Sequence, residues 1–265
     1  MSDPKTCKSG KDHAPAKIPS GRVKANPAIF NLECVVVCDR YHDFLAQTLP
    51  HNKFLFNKLV VVTSPEDLKT RRICEFHHVE CLQTDSLRSR WKEFCKADGI
   101  NEGLAKLSQS DWVVHMDADI YLPPQTRILL ERANLDPAMI YGIDRFNITG
   151  YEVWDEFNAM PKLQHECDAW VHMNAFPIGT RVMHRHSGGY VPIGFFQMWH
   201  PSTSGVADYP SNHKDAGRTD MLHALRWPRS LRGFIPEVIG YHLESTDAKM
   251  SANWNGRTTA HFGPE

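Results

Sequence analysis

The fold is decided by residues 112–124, which read Trp-Val-Val-His-Met-Asp-Ala-Asp-Ile-Tyr-Leu-Pro-Pro. The apolar run from Trp112 to Met116 predicts a buried strand, and the carboxylates of Asp117 and Asp119 follow at its end. Because alternate residues of a strand point to the same side, both carboxylates can face one ligand. Carboxylate oxygens suit hard divalent cations, which in turn bind phosphates. The stretch therefore predicts a divalent-metal site at the end of a buried strand.

Apolar runs alternate with helical patterns on both sides of this stretch. Strands are predicted at 32–38, 58–62, 79–82, 112–116 and 139–143, and helices at 43–49, 64–77, 91–98, 100–107 and 128–133. This order predicts an α/β fold with parallel strands joined by right-handed crossovers. Since ligands bind at the carboxyl ends of such strands, one edge of the sheet should carry Asp39, Thr63, Ser64, Asp85, Asp117 and Asp119.

Helix-start and helix-stop residues set several predicted boundaries. Pro50 should end the first helix, and Ser64 should cap the second, with Pro65 in its first position. After residue 145 the periodicity weakens. We expect a strand or hairpin arm at 191–200, a loop at 201–217, a helix at 219–227 and a last strand at 233–241 that leads into His242.

Composition and charge are those of an ordinary globular protein. Of the 265 residues, 42% are hydrophobic and 23% charged, which is typical of globular domains. A net charge of −1 gives no bulk electrostatic reason to expect nucleic acid as a partner. No apolar run approaches the roughly 20 residues of a membrane span, and the N-terminus has no apolar signal segment. A cytoplasmic location is therefore predicted.

The cysteines and the N-terminal residues give two further expectations. Seven cysteines occur without a Cys-x-x-Cys pair, and several lie in apolar runs, which favours reduced core thiols over a disulfide framework. Residues 1–28 are rich in Lys, Pro, Ser and Gly and predict a flexible basic arm. The arm is interpreted as a solvated tail, or alternatively as a contact to an anionic acceptor.

Two segments carry a resemblance to a known family. The runs Gly-Ile-Asn-Glu-Gly-Leu-Ala-Lys-Leu at 99–107 and Asp-Trp-Val-Val-His-Met-Asp-Ala-Asp at 111–119 resemble nucleotide-sugar glycosyltransferases of the GT-A fold, most of all family 2-like bacterial and phage enzymes. The resemblance implies a single GT-A-like α/β domain with a mostly parallel central sheet and flanking helices. Residues 29–145 would bind the nucleotide-sugar, and 146–265 would bind the acceptor and complete the metal site.

The resemblance also implies a reaction and donor-binding residues. A hexose would pass from a UDP-sugar or a similar donor to an acceptor hydroxyl, with Mn²⁺ or Mg²⁺ as cofactor. Asp39 and Thr63 would lie near the nucleobase and ribose, and Lys96 and Asn101 near the base or the phosphates. Asp117 would reach the metal through water or bind a ribose hydroxyl.

Two later residues complete the predicted site. Many GT-A enzymes have a late histidine that binds the metal beside the DxD carboxylates, here Asp117 and Asp119, and His242 resembles it. Asp220 resembles the carboxylate that deprotonates the acceptor in inverting members, and this role is favoured over the alternative that it caps the helix that follows. Asp215 is the alternative base. Inversion is the favoured route, and retention gains if Asp220 lies away from the donor.

Two rival functions and several acceptors stay open from the sequence. A nucleotidyltransferase acting on a sugar phosphate would need a Gly-rich basic loop after the first strand, where this chain has Cys38-Asp39-Arg40-Tyr41. A non-catalytic sugar-binding module would need no base. The acceptor could be a glycan, a lipid or a hydroxymethylated base in phage DNA. The chain lacks the P-loop, GxGxxG and GxSxG motifs of kinases, dehydrogenases and hydrolases.

Overall fold

The computed structural model describes residues 30–88, 94–160, 181–182, 185–186, 189–211, 216–246 and 256–264. The predicted arm at 1–28, the beginning of the helical stretch predicted from Trp91, and Asp215 lie outside this part of the chain. None of the described helices is long and apolar enough to cross a membrane.

The strands and helices alternate through the first half of the chain. The strands are β1 (Leu32–Val37), β2 (Lys58–Thr63), β3 (Glu80–Gln83), β4 (Trp112–Asp117), β5 (Ile120–Tyr121), β6 (Ile140–Thr149), β7 (Arg181–Val182), β8 (Arg185–His186), β9 (Gly189–Tyr190), β10 (Phe196–Trp199) and β11 (Arg232–Glu244). The helices are α1 (His42–Asn52), α2 (Leu68–Phe76), α3 (Lys96–Leu104), α4 (Thr126–Arg132), α5 (Tyr151–Ala159), α6 (Pro201–Ser204) and α7 (Thr219–Ala224).

One sheet organises the described residues. Its strand order is β3-β2-β1-β4-β10-β6-β11-β5, with β7 paired to β6. Strands β1, β2, β3, β4, β6 and β11 run in one direction, whereas β5, β7 and β10 run against them. The structure thereby confirms the predicted fold class, a GT-A-like α/β domain with a mostly parallel sheet and flanking helices. The predicted boundary at 145 falls inside β6, and the division of functions between the two halves stays a prediction.

The valine-rich strands form the centre of the core. Every residue of β1 is buried, and in β4 only Asp117 is not. Helices cover both faces of this part of the sheet, which is why these strands are apolar on both sides rather than alternating. The register aligns Val37 with both Val62 and Asp117, so the ends of β1, β2 and β4 meet at one edge, as predicted.

Three predicted boundaries are wrong. Pro50 lies inside α1, which ends two residues later at Asn52. Ser64 does not cap α2, because the cap is Asp67, whose carboxylate accepts a hydrogen bond from the amide of Thr70 at 3.1 Å. His242 lies within β11 rather than after it.

Other elements differ in extent. The predicted helices around Gly99 are one helix, α3, and Leu107 lies beyond its end. The segment predicted as a loop at 201–217 contains α6, and α7 stops at Ala224 rather than Trp227. Weak periodicity after residue 145 concealed α5, whose Trp154 and Phe157 are buried.

A buried histidine lies among aromatic rings beside β10. The ring of His223 stacks on that of Tyr209 at a centroid distance of 3.6 Å, and Trp199 and Trp227 meet it edge-on. Both ring nitrogens of His223 are buried, and the described residues offer them no more than a contact to the backbone of Asp208. Burial therefore lowers its pKa well below the usual value.

This burial predicts an acid-sensitive contribution to stability. Because the folded state holds His223 neutral, the unfolded state binds the extra proton below its own pKa near 6.5, and stability falls as the pH drops through that value. Between about pH 7.5 and pH 5, the unfolding free energy of the wild type should fall by about 2 kcal/mol more than that of His223→Phe. Urea unfolding at both pH values measures it.

The exposed His78 provides the control for this experiment. Its backbone φ is 55°, a conformation that Asn tolerates, so His78→Asn should keep the acid sensitivity of the wild type. Equal acid sensitivity in the wild type and His223→Phe would contradict the assignment.

Candidate functional site

The two carboxylates of the DxD stretch lie on a turn that is held from both sides. On one side, the side chains of Thr48 and Asn52 in α1 donate to the carbonyls of Ala118 and Ile120, each at 2.6 Å. On the other side, the amide of Leu243 in β11 donates to the carbonyl of Asp119 at 2.9 Å. The turn is therefore fixed by backbone contacts, which leaves its carboxylates available for a ligand.

Pairing of β5 with β11 brings a histidine and a glutamate to this turn. His242 lies opposite Ile120, and its Nε2 is 3.3 Å from Oδ2 of Asp119. Glu244 shares the face of His242 because alternate strand residues point the same way. Its Oε1 is 3.1 Å from Nδ1 of His242, which is ion-pair distance, although the geometry makes no hydrogen bond at Nδ1.

The charged forms of Asp119, His242 and Glu244 stabilise one another. Burial alone would lower the pKa of His242, but Asp119 and Glu244 outweigh it and raise the pKa to about 9. Burial likewise opposes the charge of Asp119, yet His242 and Arg145 lower the pKa of that carboxyl. The adjacent His242 also lowers the pKa of Glu244. Asp119 is therefore anionic at neutral pH.

Asp117 has a different partner. Its carboxylate forms an ion pair with the ammonium of Lys96 in the first turn of α3. Burial raises the pKa of Asp117, and Lys96 offsets this only in part. Burial opposes the charge of Lys96, but Asp117 outweighs it and raises the pKa of Lys96. The two carboxylates of the turn thus have opposite pKa shifts, because His242 and Arg145 outweigh burial at Asp119, whereas Lys96 does not outweigh it at Asp117.

The chemistry of Asp119 and His242 fits a divalent cation. In the described part of the chain, Oδ1 of Asp119 is buried without a hydrogen-bond partner, whereas Nδ1 of His242 faces Glu244. Two neighbouring ligands of an octahedral ion lie about 3 Å apart, close to the 3.3 Å between His242 Nε2 and Asp119 Oδ2. A carboxylate together with an imidazole suits Mn²⁺ better than Mg²⁺.

Arg145 is a site residue that the sequence analysis missed. Its guanidinium lies 4.7 Å above the ring of Phe195, and its Nε has no hydrogen-bond partner in the described chain. Burial lowers its pKa, while Asp119 and Asp117 oppose that shift. The sequence signal was an arginine in a strand that was predicted to end at Ile143 but continues to Thr149.

The predicted nucleoside residues are engaged in internal contacts. Asp39 accepts from the hydroxyl of Ser64 at 2.5 Å and from Nε and Nη2 of Arg88 at 2.9 and 2.5 Å. Thr63 is fully buried, and its hydroxyl donates to Asp67 at 3.4 Å. Arg88, which was not among the predicted site residues, keeps a third of its side chain exposed and can meet a ligand at this edge.

Asn101 is also committed to a structural contact. Its amide nitrogen donates to the carbonyl of Tyr209 at 2.9 Å, and its oxygen accepts from the amide of Tyr209 at 2.6 Å. The side chain therefore joins α3 to the segment after α6 and has no group directed at the carboxylates.

Asp220 is brought to the site by α7. The carbonyl of Phe195, the residue after Gly194, accepts from the amide of Asp117 at 3.4 Å, and the charge of Asp220 raises the pKa of both Lys96 and Asp117. Oδ2 of Asp220 accepts from the amide of Gly194 at 2.6 Å and its Oδ1 from the amide of Met221 at 2.8 Å. Each oxygen keeps a lone pair for a further partner.

A separate group of potential ligands lies at the start of α1. Within the described residues, His42, Asp43 and His261 come close enough to share an ion. However, Arg257 donates to both oxygens of Asp43, and the amide of Phe262 donates to the same carboxylate at 2.6 Å. This group fits an ion pair that binds segment 256–264 to α1 better than it fits a cation.

Comparisons with known proteins give similarity of overall structure only. No protein-family model matches the chain, and neither does any curated protein. Glucosyl-3-phosphoglycerate synthase from Mycobacterium tuberculosis, in complex with Mn²⁺, UDP and glucosyl-3-phosphoglycerate, has 13% identity and a TM-score of 0.44, covering 81% of this chain and 72% of its own. Mannosyl-3-phosphoglycerate synthase from Rubrobacter xylanophilus has 13% identity and a TM-score of 0.45, covering 83% and 68%. The assignment of the site therefore rests on the residues of this chain.

Proposed function

We propose that the protein is a metal-dependent glycosyltransferase that moves a hexose from a nucleotide-diphosphate sugar to an acceptor hydroxyl. The observation that carries the proposal is the convergence of Asp119, His242 and Asp117 with two cations, Lys96 and Arg145, at the carboxyl end of β4. Carboxylates and cations together suit a ligand that combines a metal ion with phosphates.

The residues around the proposed diphosphate position would have different roles. Asp119 and His242 would hold Mn²⁺ or Mg²⁺, and Asp117 would reach the ion through water. When bound, the cation supplies charge neutralisation for the leaving diphosphate. Lys96 and Arg145 lie where they can donate to phosphate oxygens, and Lys96 would exchange part of its contact with Asp117 for such an oxygen.

The nucleoside would lie towards Asp39 and Arg88. The Asp39–Arg88 pair keeps a planar guanidinium at the carboxyl end of β1, where it can stack on a base or donate to it. Asp39 acts by positioning that guanidinium, whereas Thr63 bonds to the side chain of Asp67 and Asn101 to the backbone of Tyr209. UDP is the expected nucleotide.

Asp220 is proposed as the base of an inverting transfer. The acceptor oxygen attacks the anomeric carbon, the bond from that carbon to the phosphate oxygen breaks, and the nucleoside diphosphate leaves with the electron pair. The acceptor proton passes to a carboxylate oxygen of Asp220. The amides of Gly194 and Met221 fix the direction of that carboxylate. The proposed acceptor class is a hydroxyl-bearing glycan, lipid or hydroxymethylated base.

Replacing Asp119 by Asn should remove the anionic metal ligand. We expect hydrolysis of UDP-glucose in the presence of Mn²⁺ to fall by about a hundredfold, and Mn²⁺ binding measured by calorimetry to weaken in parallel. Asp155→Asn, at an exposed position of α5, is the matched control and should behave as the wild type. Unchanged turnover and unchanged metal dependence in Asp119→Asn would contradict the proposal.

The raised pKa of His242 predicts a pH-dependent metal affinity. Below its pKa of about 9, His242 carries a proton that the metal must displace, so affinity should rise with pH. We expect a change of about tenfold per pH unit between about pH 7 and pH 8.5, with about one proton released. Calorimetry in two buffers of different ionisation enthalpy counts that proton. His242→Gln should remove the dependence, and a pH-independent affinity in the wild type would exclude His242 as a ligand.

Replacing Asp220 by Asn should separate proton transfer from metal binding. The amide oxygen can still accept from Gly194, but the side chain no longer takes a proton. We expect kcat for hydrolysis of UDP-glucose, with water as acceptor, to fall by about a hundredfold. The affinity for Mn²⁺ should be unchanged. A wild-type kcat would show that another group is the base.

A further inference from the structure

Two cysteines lie at the outer edge of the sheet, where α2 packs against β3. Cys74 lies near the end of α2 and Cys81 in β3, and a hydrogen bond from the amide of Val79 to the carbonyl of Cys74 closes the turn between them at 2.9 Å. The side chain of Cys81 packs against the hydrophobic cluster that contains Cys74. Both are free thiols, and each affects the pKa of the other.

The two thiols differ in access. Cys81 lines an open cavity of about 500 Å³, whose other lining residues are Leu68, Arg71, Arg72, Glu75, Val79 and Gln83. Cys74 has no exposed surface and lies in the main hydrophobic core. A small reagent in the cavity therefore reaches Cys81 first and reaches Cys74 only through it.

The surroundings also shift the pKa values of the two thiols in opposite directions. The neighbouring Cys74 and the positive charge of Arg71 lower the pKa of Cys81 despite its burial. The neighbouring Cys81 and burial raise the pKa of Cys74. Since the thiolate is the reactive form, charge and access both select Cys81 as the attacking sulfur. A third thiol, that of Cys38, is buried and lies 3.3 Å from the hydroxyl of Thr70.

We propose that Cys81 is a peroxide-reactive thiol and that Cys74 is its resolving partner. The Cys81 sulfur attacks one oxygen of hydrogen peroxide, the O–O bond breaks, and hydroxide leaves and is protonated to water. The sulfur is oxidised to a sulfenic acid and the peroxide is reduced. The Cys74 sulfur then attacks the Cys81 sulfur, an S–S bond forms, and the hydroxyl leaves as water with the Cys74 proton. This site is independent of the proposed sugar transfer.

The test uses the full-length chain with Cys7 and Cys167 replaced by Ser, so that the five described cysteines remain. After treatment with hydrogen peroxide, peptide mapping should find a disulfide between Cys74 and Cys81 that dithiothreitol reverses. In the same sample the buried Cys34 and Cys95 should stay reduced. A disulfide or sulfenic acid that forms first at any other cysteine, or no oxidation of Cys81, would overturn the proposal.

Variants separate the two roles. In Cys74→Ala the sulfenic acid at Cys81 should persist and react with a 1,3-dione probe. In Cys81→Ser, at a position that is only partly buried, Cys74 should resist peroxide. Should Cys74→Ala fail to fold, Cys81→Ser still decides the order of attack, because oxidation of Cys74 in that variant contradicts the proposal.

Two arginines of the cavity provide a matched pair. Arg71 acts on the charge of Cys81, whereas Arg72 lines the same cavity without doing so. Arg71→Gln should slow peroxide oxidation of Cys81 several-fold, and Arg72→Gln should leave the rate near that of the parent. Equal rates of Cys81 oxidation in the two variants would show that the charge of Arg71 does not increase the reactivity of Cys81.

Discussion

The pairing of β5 with β11 is the interaction on which the candidate site depends. It places His242 opposite Ile120, immediately beside Asp119. The carboxylates of Asp117 and Asp119 repel each other in a buried environment, so the turn that carries them needs support from elsewhere. That support is backbone-directed, from Thr48 and Asn52 on one side and Leu243 on the other. Because these contacts are made to the backbone of the turn, the carboxylates of Asp117 and Asp119 need not hold it and can bind a ligand instead.

The parts of the fold that the sequence predicts are those with strong local signals. The β-branched runs of β1 and β2 and the apolar run of β4 identify buried strands, and alternation with helices predicts their parallel arrangement. From that arrangement, the meeting of Asp39, Thr63 and Asp117 at one edge follows without any long-range information. The last strand was also identified, although its continuation through Glu244 was not, because the apolar run stops at Tyr241 and both His242 and Glu244 are polar.

The parts that the sequence does not predict depend on partners far along the chain. Ser64 has the local pattern of a helix cap, yet the buried carboxylate of Asp39 competes for its hydroxyl. Arg88 and Arg145 look like ordinary surface arginines, since their anionic neighbours lie on other strands. Asn101 lies in a motif typical of donor binding, while its amide is taken up by the backbone of Tyr209. A local pattern shows which group is available and leaves its partner undetermined.

The separation of Asp119 and His242 along the chain has a consequence for folding. Contacts between distant segments form late, because a long loop must close before they give any stability. A chain synthesised from its N-terminus can pair β1, β2, β3 and β4 long before β11 exists. The cation-binding geometry would then arise only at the final docking of β11, and metal ions in the cell would favour the completed fold over its partly folded precursors.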